Sequence, residues 1–166
     1  MAEQEALFVD GYNVINAWPE LKSLPLAHAR DTLYEKLVDY AHYRDLELFL
    51  VFDAHMQNTP EVVEEGVGTV VYTAAGETAD MFIERNVREL YRQGRSISVA
   101  TSDGLEQVMI MGYARRLSAR ELIMDIKAAR EEYIKEYISP KMPRRNQLEG
   151  RLREDHLAAF ERMRRE

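Results

Sequence analysis

The sequence predicts an α/β fold with a central, mostly parallel sheet, and three observations lead there. Apolar runs of strand length recur along the chain, they alternate with stretches of helical periodicity, and several of them stop abruptly at an acidic residue. The run that organises the rest is LFVDGYN, Leu7 to Asn13, where β-forming residues give way to an acid, a glycine and an amide. Such a run reads as a buried strand entering a sharp turn, with Asp10 at its carboxyl end. In an open α/β sheet that end is where ligands bind.

The other elements follow in order. After Asn13, Pro19 and Pro25 fence a connection expected to be irregular, which holds the single tryptophan, Trp18. Leu33, Leu37, Val38 and Ala41 recur at helical spacing and place a long helix from Leu26 to about Arg44. Leu46 to Phe52 is a second strand, ending at Asp53. Ala54 to Gly66 carries a proline and three acids and reads as a loop. Val67 to Thr73 fits a third strand. A helix is expected to open near Glu77 and stop at Gly94, with Met81, Val87, Leu90 and Tyr91 on its core face. Ser96 to Thr101 is the fourth strand, followed by Ser102 and Asp103. Asp103 to Glu106 and Ser118 to Glu121 both match capping boxes, the second opening a helix to about Ser139. Beyond Pro140 come a basic linker and an amphipathic stretch, Leu148 to Met163, so residues 1–139 are expected to form the domain and 140–166 a tail.

Composition narrows the function classes. At 166 residues, 46% hydrophobic and 31% charged, the chain suits one domain with its own core. The acidic amino terminus lacks the basic start of a signal peptide, and no apolar run approaches the roughly 18 residues of a membrane helix. A cytoplasmic location with no membrane partner is the expectation. Zero cysteines exclude disulfides, thiolate nucleophiles and cysteine-held zinc, leaving oxygen or imidazole for any metal. The histidines, His28, His42, His55 and His156, show no ligand spacing. The net charge of -7 opposes bulk electrostatic gripping of nucleic acid, but it is unevenly spread. Residues 139–166 carry eight Lys or Arg against five acids, hence +3, and the rest carries -10.

Asp10, Asp53 and Asp103 thus arrive at one sheet edge, and Glu77 with Asp80 adds a pair three apart at a helix start. Carboxylates gathered without a cation repel, and one would take up a proton near neutrality. A divalent ion with hard oxygen ligands, Mg²⁺ or Mn²⁺, removes that conflict and leaves positions for a phosphate oxygen. Rival α/β chemistries lack their marks. An aspartyl phosphatase would place its second acid where Tyr12 stands, and the P-loop and the dinucleotide fingerprint are both absent. A receiver domain would want a lysine where Thr101-Ser102-Asp103 stands. Metal-dependent phosphodiester hydrolysis fits best.

LFVDGYN, VFDAH, GETAD, VATSD and SARE, in this order, resemble the bacterial YacP-type NYN domain, a branch of the PIN-like ribonucleases, over nearly the whole chain. The resemblance implies a PIN-like three-layer fold, a divalent metal and endoribonuclease activity leaving a 3′ hydroxyl. It also implies mRNA cleavage on the translating ribosome. By position, Asp10, Asp80 and Asp103 match the metal-holding acids, Asn13 the amide beside them, and Asp53 and Glu77 less central places. On that basis Asp10 and Asp103 anchor the ion, Asp80 orients water or holds a second ion, and Asn13 or Ser102 bonds the scissile phosphate. One departure is the loop carrying Glu61, Glu64 and Glu65, which is acidic where an RNA-facing loop would be basic.

Tyr12, His55, Arg115 and Arg116 complete the candidate substrate contacts, Tyr12 through base stacking. Arg85, Arg88, Arg92 and Arg95 form a stripe that suits either an RNA track or local ion pairs. A monomer or weak homodimer is expected. The rivals to an mRNA endoribonuclease are a non-catalytic RNA- or ribosome-binding module of the same fold and a small-molecule phosphohydrolase.

Overall fold

The computed structural model describes residues 3–53, 61–65, 68–102 and 112–138. The six strands are β1 (Glu5–Asp10), β2 (Leu46–Phe52), β3 (Glu61–Glu65), β4 (Gly68–Tyr72), β5 (Ile97–Ala100) and β6 (Arg115–Leu117). They form one sheet in the order β3-β4-β2-β1-β5-β6. Five are mutually parallel, and β3 is antiparallel to β4 at one edge. The helices are α1 (Gly11–Ala17), α2 (Pro19–Lys22), α3 (Leu26–Arg44), α4 (Ala79–Arg92) and α5 (Ala119–Tyr137).

The three layers follow from the pleat of β1, whose residues Ala6 to Val9 are all buried. Successive side chains leave a strand on opposite faces. Leu7 and Val9 enter a core shared with Val14, Trp18, Leu33, Leu37 and Leu122, which belong to α1, α3 and α5 or their connections. Ala6 and Phe8 enter a second core with Ala79, Ile83 and Val87 of α4. A strand covered on both faces is the expected state of a parallel sheet. The fold class is therefore the expected one.

Several elements differ from expectation. Asp10-Gly11 is not a free turn: Asp10 caps α1, accepting the Asn13 N–H, and the chain turns directly from strand into helix. Burial of Val14 and Ile15 supports this short helix. The segment read as a loop contains β3, in which Val62 and Val63 are the register partners of Val71 and Val70 of β4. Helix α4 begins at Ala79, after a Thr78 cap that accepts the Met81 N–H at 3.1 Å. Its core face is Ala79, Ile83 and Val87 with Leu90 packed against them, whereas Met81 is 53% and Tyr91 50% exposed. Gly94, at φ 80, ends the turn after this helix as expected.

The helix from Leu26 to Arg44 matches expectation, closed by Asp45 in the left-handed region at φ 58. Both halves of the Ser118–Glu121 capping box are formed, and the backbone N–H of Ser118 holds the Glu121 carboxyl below its ordinary range. Helix α5 packs on α3, where the Tyr40 hydroxyl donates to Asp125 and Arg44 meets Asp125 and Glu132, each at 3.0 Å. The expected helices at Asp103–Glu106 and Leu148–Met163 lie outside the described residues. Among the described residues, no helix is long and apolar enough to cross a membrane.

Candidate active site at the carboxyl edge of the sheet

Strand β1 sits at the middle of the sheet, with β2 on one side and β5 on the other. Chain order reverses at this point, which opens a crevice beyond the strand ends in doubly wound folds. Asp10 ends β1 level with Val51, and because Val9 pairs with Ala100 it stands beside Thr101. Neighbouring strands lie about 4.8 Å apart, so Asp10 and Thr101 are backbone neighbours.

From Asp10 the site is built outward through hydrogen bonds. The half-buried Asp10 accepts from the Asn13 backbone N–H through Oδ1 at 3.4 Å. Asn13 Oδ1 in turn accepts the backbone N–H of Ser102 at 2.7 Å. Ser102 Oγ accepts the N–H of Ala119, the first residue of α5, at 3.2 Å. Thr101 donates its N–H to Leu117 at 2.9 Å. The ends of β1, β5 and β6 and the starts of α1 and α5 are thereby tied together around Asp10, Asn13 and Ser102.

Gly11 has a definite reason to be glycine. A Cβ there would fall 2.2 Å from Cε1 of Phe52, so the ring of Phe52 occupies the place of a side chain. Phe52 is flanked by Tyr12 at 5.0 Å and Tyr72 at 5.6 Å between ring centroids. Asp53 follows Phe52 at the same edge and is half-buried, with its Oδ1 sealed from solvent.

The remaining candidates divide. Asp80 is half-buried in the first turn of α4, next to Ala79, which packs with Phe8 and Val71. Glu77 lies outside that helix, ahead of its cap, and is ion-paired with Arg85. Arg115 begins β6, two residues short of its carboxyl end, and its Nε donates to Ser98 Oγ at 3.2 Å. Arg116 is exposed on the same strand. The arginine stripe resolves into ion pairs: Arg85 with Glu77, Arg88 with Glu84, Arg92 with Glu89, and Arg95 with Glu3 and Glu47. Asp103 and His55 lie outside the described residues.

Among the described residues, no three His, Asp or Glu side chains are gathered closely enough to hold an ion. The donors at the edge, Asp10, Asp53, Asp80, Asn13 and Ser102, present carboxylate, amide and hydroxyl oxygens, which suit a hard divalent cation. Asp103 directly follows Ser102 in sequence.

Arg30 escaped the sequence reading. It lies in the second turn of α3, half-buried, and its Nη1 donates to the Tyr12 hydroxyl oxygen at 3.1 Å. That bond raises the guanidinium pKa above its ordinary value. The signal was positional, since a helix leading back from the carboxyl edge of a sheet begins at that edge.

The YacP-like NYN domain model matches residues 7–165. A protein of Bacillus subtilis (strain 168), "Uncharacterized protein YacP", is 41% identical over 127 residues, covering 74% of this chain and 75% of that protein. The crystal structure of Rae1 (YacP) from Bacillus subtilis superposes with a TM-score of 0.69 at 36% identity, over 98% of this chain and 95% of that one. Its tryptophan-to-leucine mutant gives 0.71 at 34% identity, over 93% and 99%.

Proposed function

Because the chain belongs to the YacP-like NYN domain family, whose fold is nuclease-like, we propose that it is a metal-dependent endoribonuclease cleaving single-stranded RNA, with mRNA presented on the ribosome as its substrate. The observation that carries this is the chain of hydrogen bonds from Asp10 through Asn13 to Ser102 at the reversal point of the sheet. It fixes an acid, an amide and a hydroxyl at the place where such folds receive ligands.

In this reading Asp10, Asp80 and Asp103 hold Mg²⁺ or Mn²⁺. When bound, the ion polarises the phosphoryl group and lowers the pKa of a coordinated water. The protein's own residues position the substrate. Because Asn13 Oδ1 accepts the Ser102 N–H, the amide orientation is set and its Nδ2 protons are left for a phosphate oxygen. Capping by Asp10 holds Asn13 at the third position of α1, so acid and amide move as one unit. The net charge of -7 repels free RNA, which favours presentation by a partner over capture from solution.

A second reading is a non-catalytic RNA- or ribosome-binding module of the same fold. One assay separates the two. RNA cleavage is measured with and without translating ribosomes, in Mg²⁺ or Mn²⁺, for the parent and Asp80→Asn. Loss of cleavage in a variant that still folds supports the nuclease; absence of cleavage in both supports the binding module.

A further inference from the structure

The carboxyl edge presents acids to a polyanion, so an RNA strand crossing it needs a cation beside them. Five arginines, Arg44, Arg85, Arg88, Arg92 and Arg95, are engaged with carboxylates. Arg30 is placed differently. Its guanidinium donates to a phenol oxygen, and among the described residues it forms no ion pair, although it feels the charge of the adjoining Asp31. An arginine carries five N–H donors, and the contact with Tyr12 uses one.

Its surroundings are aromatic. Tyr12 and Tyr72 lie on either side of the buried Phe52 ring, and both are half-buried. Tyr72 ends β4, and Tyr12 stands two residues past Asp10. The cluster therefore lies on the β2 and β4 side of Asp10, opposite Asn13 and Ser102, which reach toward β5. A cation beside half-buried aromatic rings is the combination that single-stranded nucleic acids use, phosphate on the guanidinium and base on the ring.

We infer that Arg30, Tyr12 and Tyr72 form a nucleotide-binding subsite flanking the acidic edge, with the guanidinium taking an RNA phosphate and a tyrosine ring taking the adjoining base. This rests on the nuclease reading and extends it: the strand crosses the sheet edge from Tyr72, past Asp10, toward Ser102. Arg30 acts on binding and on register, without touching the reacting atoms.

The test compares the parent with Arg30→Met, Arg30→Gln and Arg30→Lys, using a short labelled single-stranded RNA in binding titrations across salt concentrations and in cleavage assays with and without translating ribosomes. Arg30→Gln keeps a donor for Tyr12 but lacks the charge, so a purely structural role predicts parental behaviour for it. The subsite predicts about tenfold weaker binding at low salt for both Met and Gln variants. It also predicts a salt slope shallower by about 0.7, the loss of one phosphate contact on a single strand. Arg30→Lys retains the slope, and the cleavage defect appears in KM with kcat held. A parent that cleaves RNA beside an Arg30→Gln variant with parental slope and KM overturns the subsite and leaves the nuclease reading intact. A parent that neither binds the RNA nor cleaves it, whether free or on translating ribosomes, overturns both.

Discussion

The backbone N–H of Ser102 donates to Oδ1 of Asn13 at 2.7 Å, across 89 positions of sequence. This bond joins the first turn of α1 to the end of β5, so the amide ties together two elements of the candidate site. Asn13→Ala removes the acceptor and leaves the Ser102 N–H to water, because Ser102 is exposed. The expected cost is about 1 kcal/mol of unfolding free energy. RNA cleavage should fall by more than that stability loss explains, and the excess is read by assaying at a temperature where both proteins are fully folded. Equal activity would detach Asn13 from the chemistry.

Gly11 is held by contact and not by an unusual backbone angle. Its Cβ would meet Cε1, Cδ1 and Cζ of Phe52 at 2.2, 2.6 and 2.9 Å. Gly11→Ala should therefore destabilise the protein by about 1–3 kcal/mol, as overpacked cores do. A second change, Phe52→Leu, vacates the ring and should recover part of the loss in the Gly11→Ala background. Denaturant titrations of the double-mutant cycle check this through a coupling term of opposite sign to the single losses.

The Tyr40 hydroxyl donates to Asp125 between α3 and α5, and Arg44 meets the same carboxylate at 3.0 Å. Burial, reinforced by the bond to Asp125, pushes the Tyr40 phenol well above its ordinary value of 10.0. A group whose pKa is raised on folding contributes stability that is complete below the unfolded value and is lost as pH rises through the folded one. Tyr40→Phe should cost about 1 kcal/mol at neutral pH. The difference between parent and variant should shrink above pH 10, measured by thermal melts against pH.

How much of this was legible follows from what each segment depends on. Strands β1 and β2 are runs whose apolar character leaves little choice, and α3 announces itself through Leu33 and Leu37 at helical spacing. The SARE box is a local device, so both of its bonds were readable in four residues. Helix α1 was not: Gly11, Tyr12, Asn13 and Val14 are weak helix formers, and the helix exists because Asp10 caps it and Val14 and Ile15 are buried. Strand β6 is three residues long with two arginines, and only pairing with β5 makes it a strand. Of the acids expected at strand ends, Asp10 and Asp53 stand at the carboxyl edge, while Asp103 lies outside the described residues. The links from Asn13 to Ser102 and from Arg30 to Tyr12 were not legible, because they join residues 89 and 18 apart that no local pattern couples.

Asp10 has two separable duties, and two substitutions divide them. As the cap of α1 it accepts the Asn13 N–H, a duty that asparagine performs as well as aspartate. As an acid at the sheet edge it supplies charge, which asparagine lacks. Asp10→Asn should therefore leave the melting temperature near that of the parent, while Asp10→Ala loses the cap and about 1 kcal/mol. Both should cut metal-dependent RNA cleavage by about 10²–10³-fold, the scale of removing one preorganised electrostatic contact. If Asp10→Asn melts like the parent and cleaves like it, the carboxylate is only a helix cap. If it melts like the parent and is inactive, its charge belongs to the reaction.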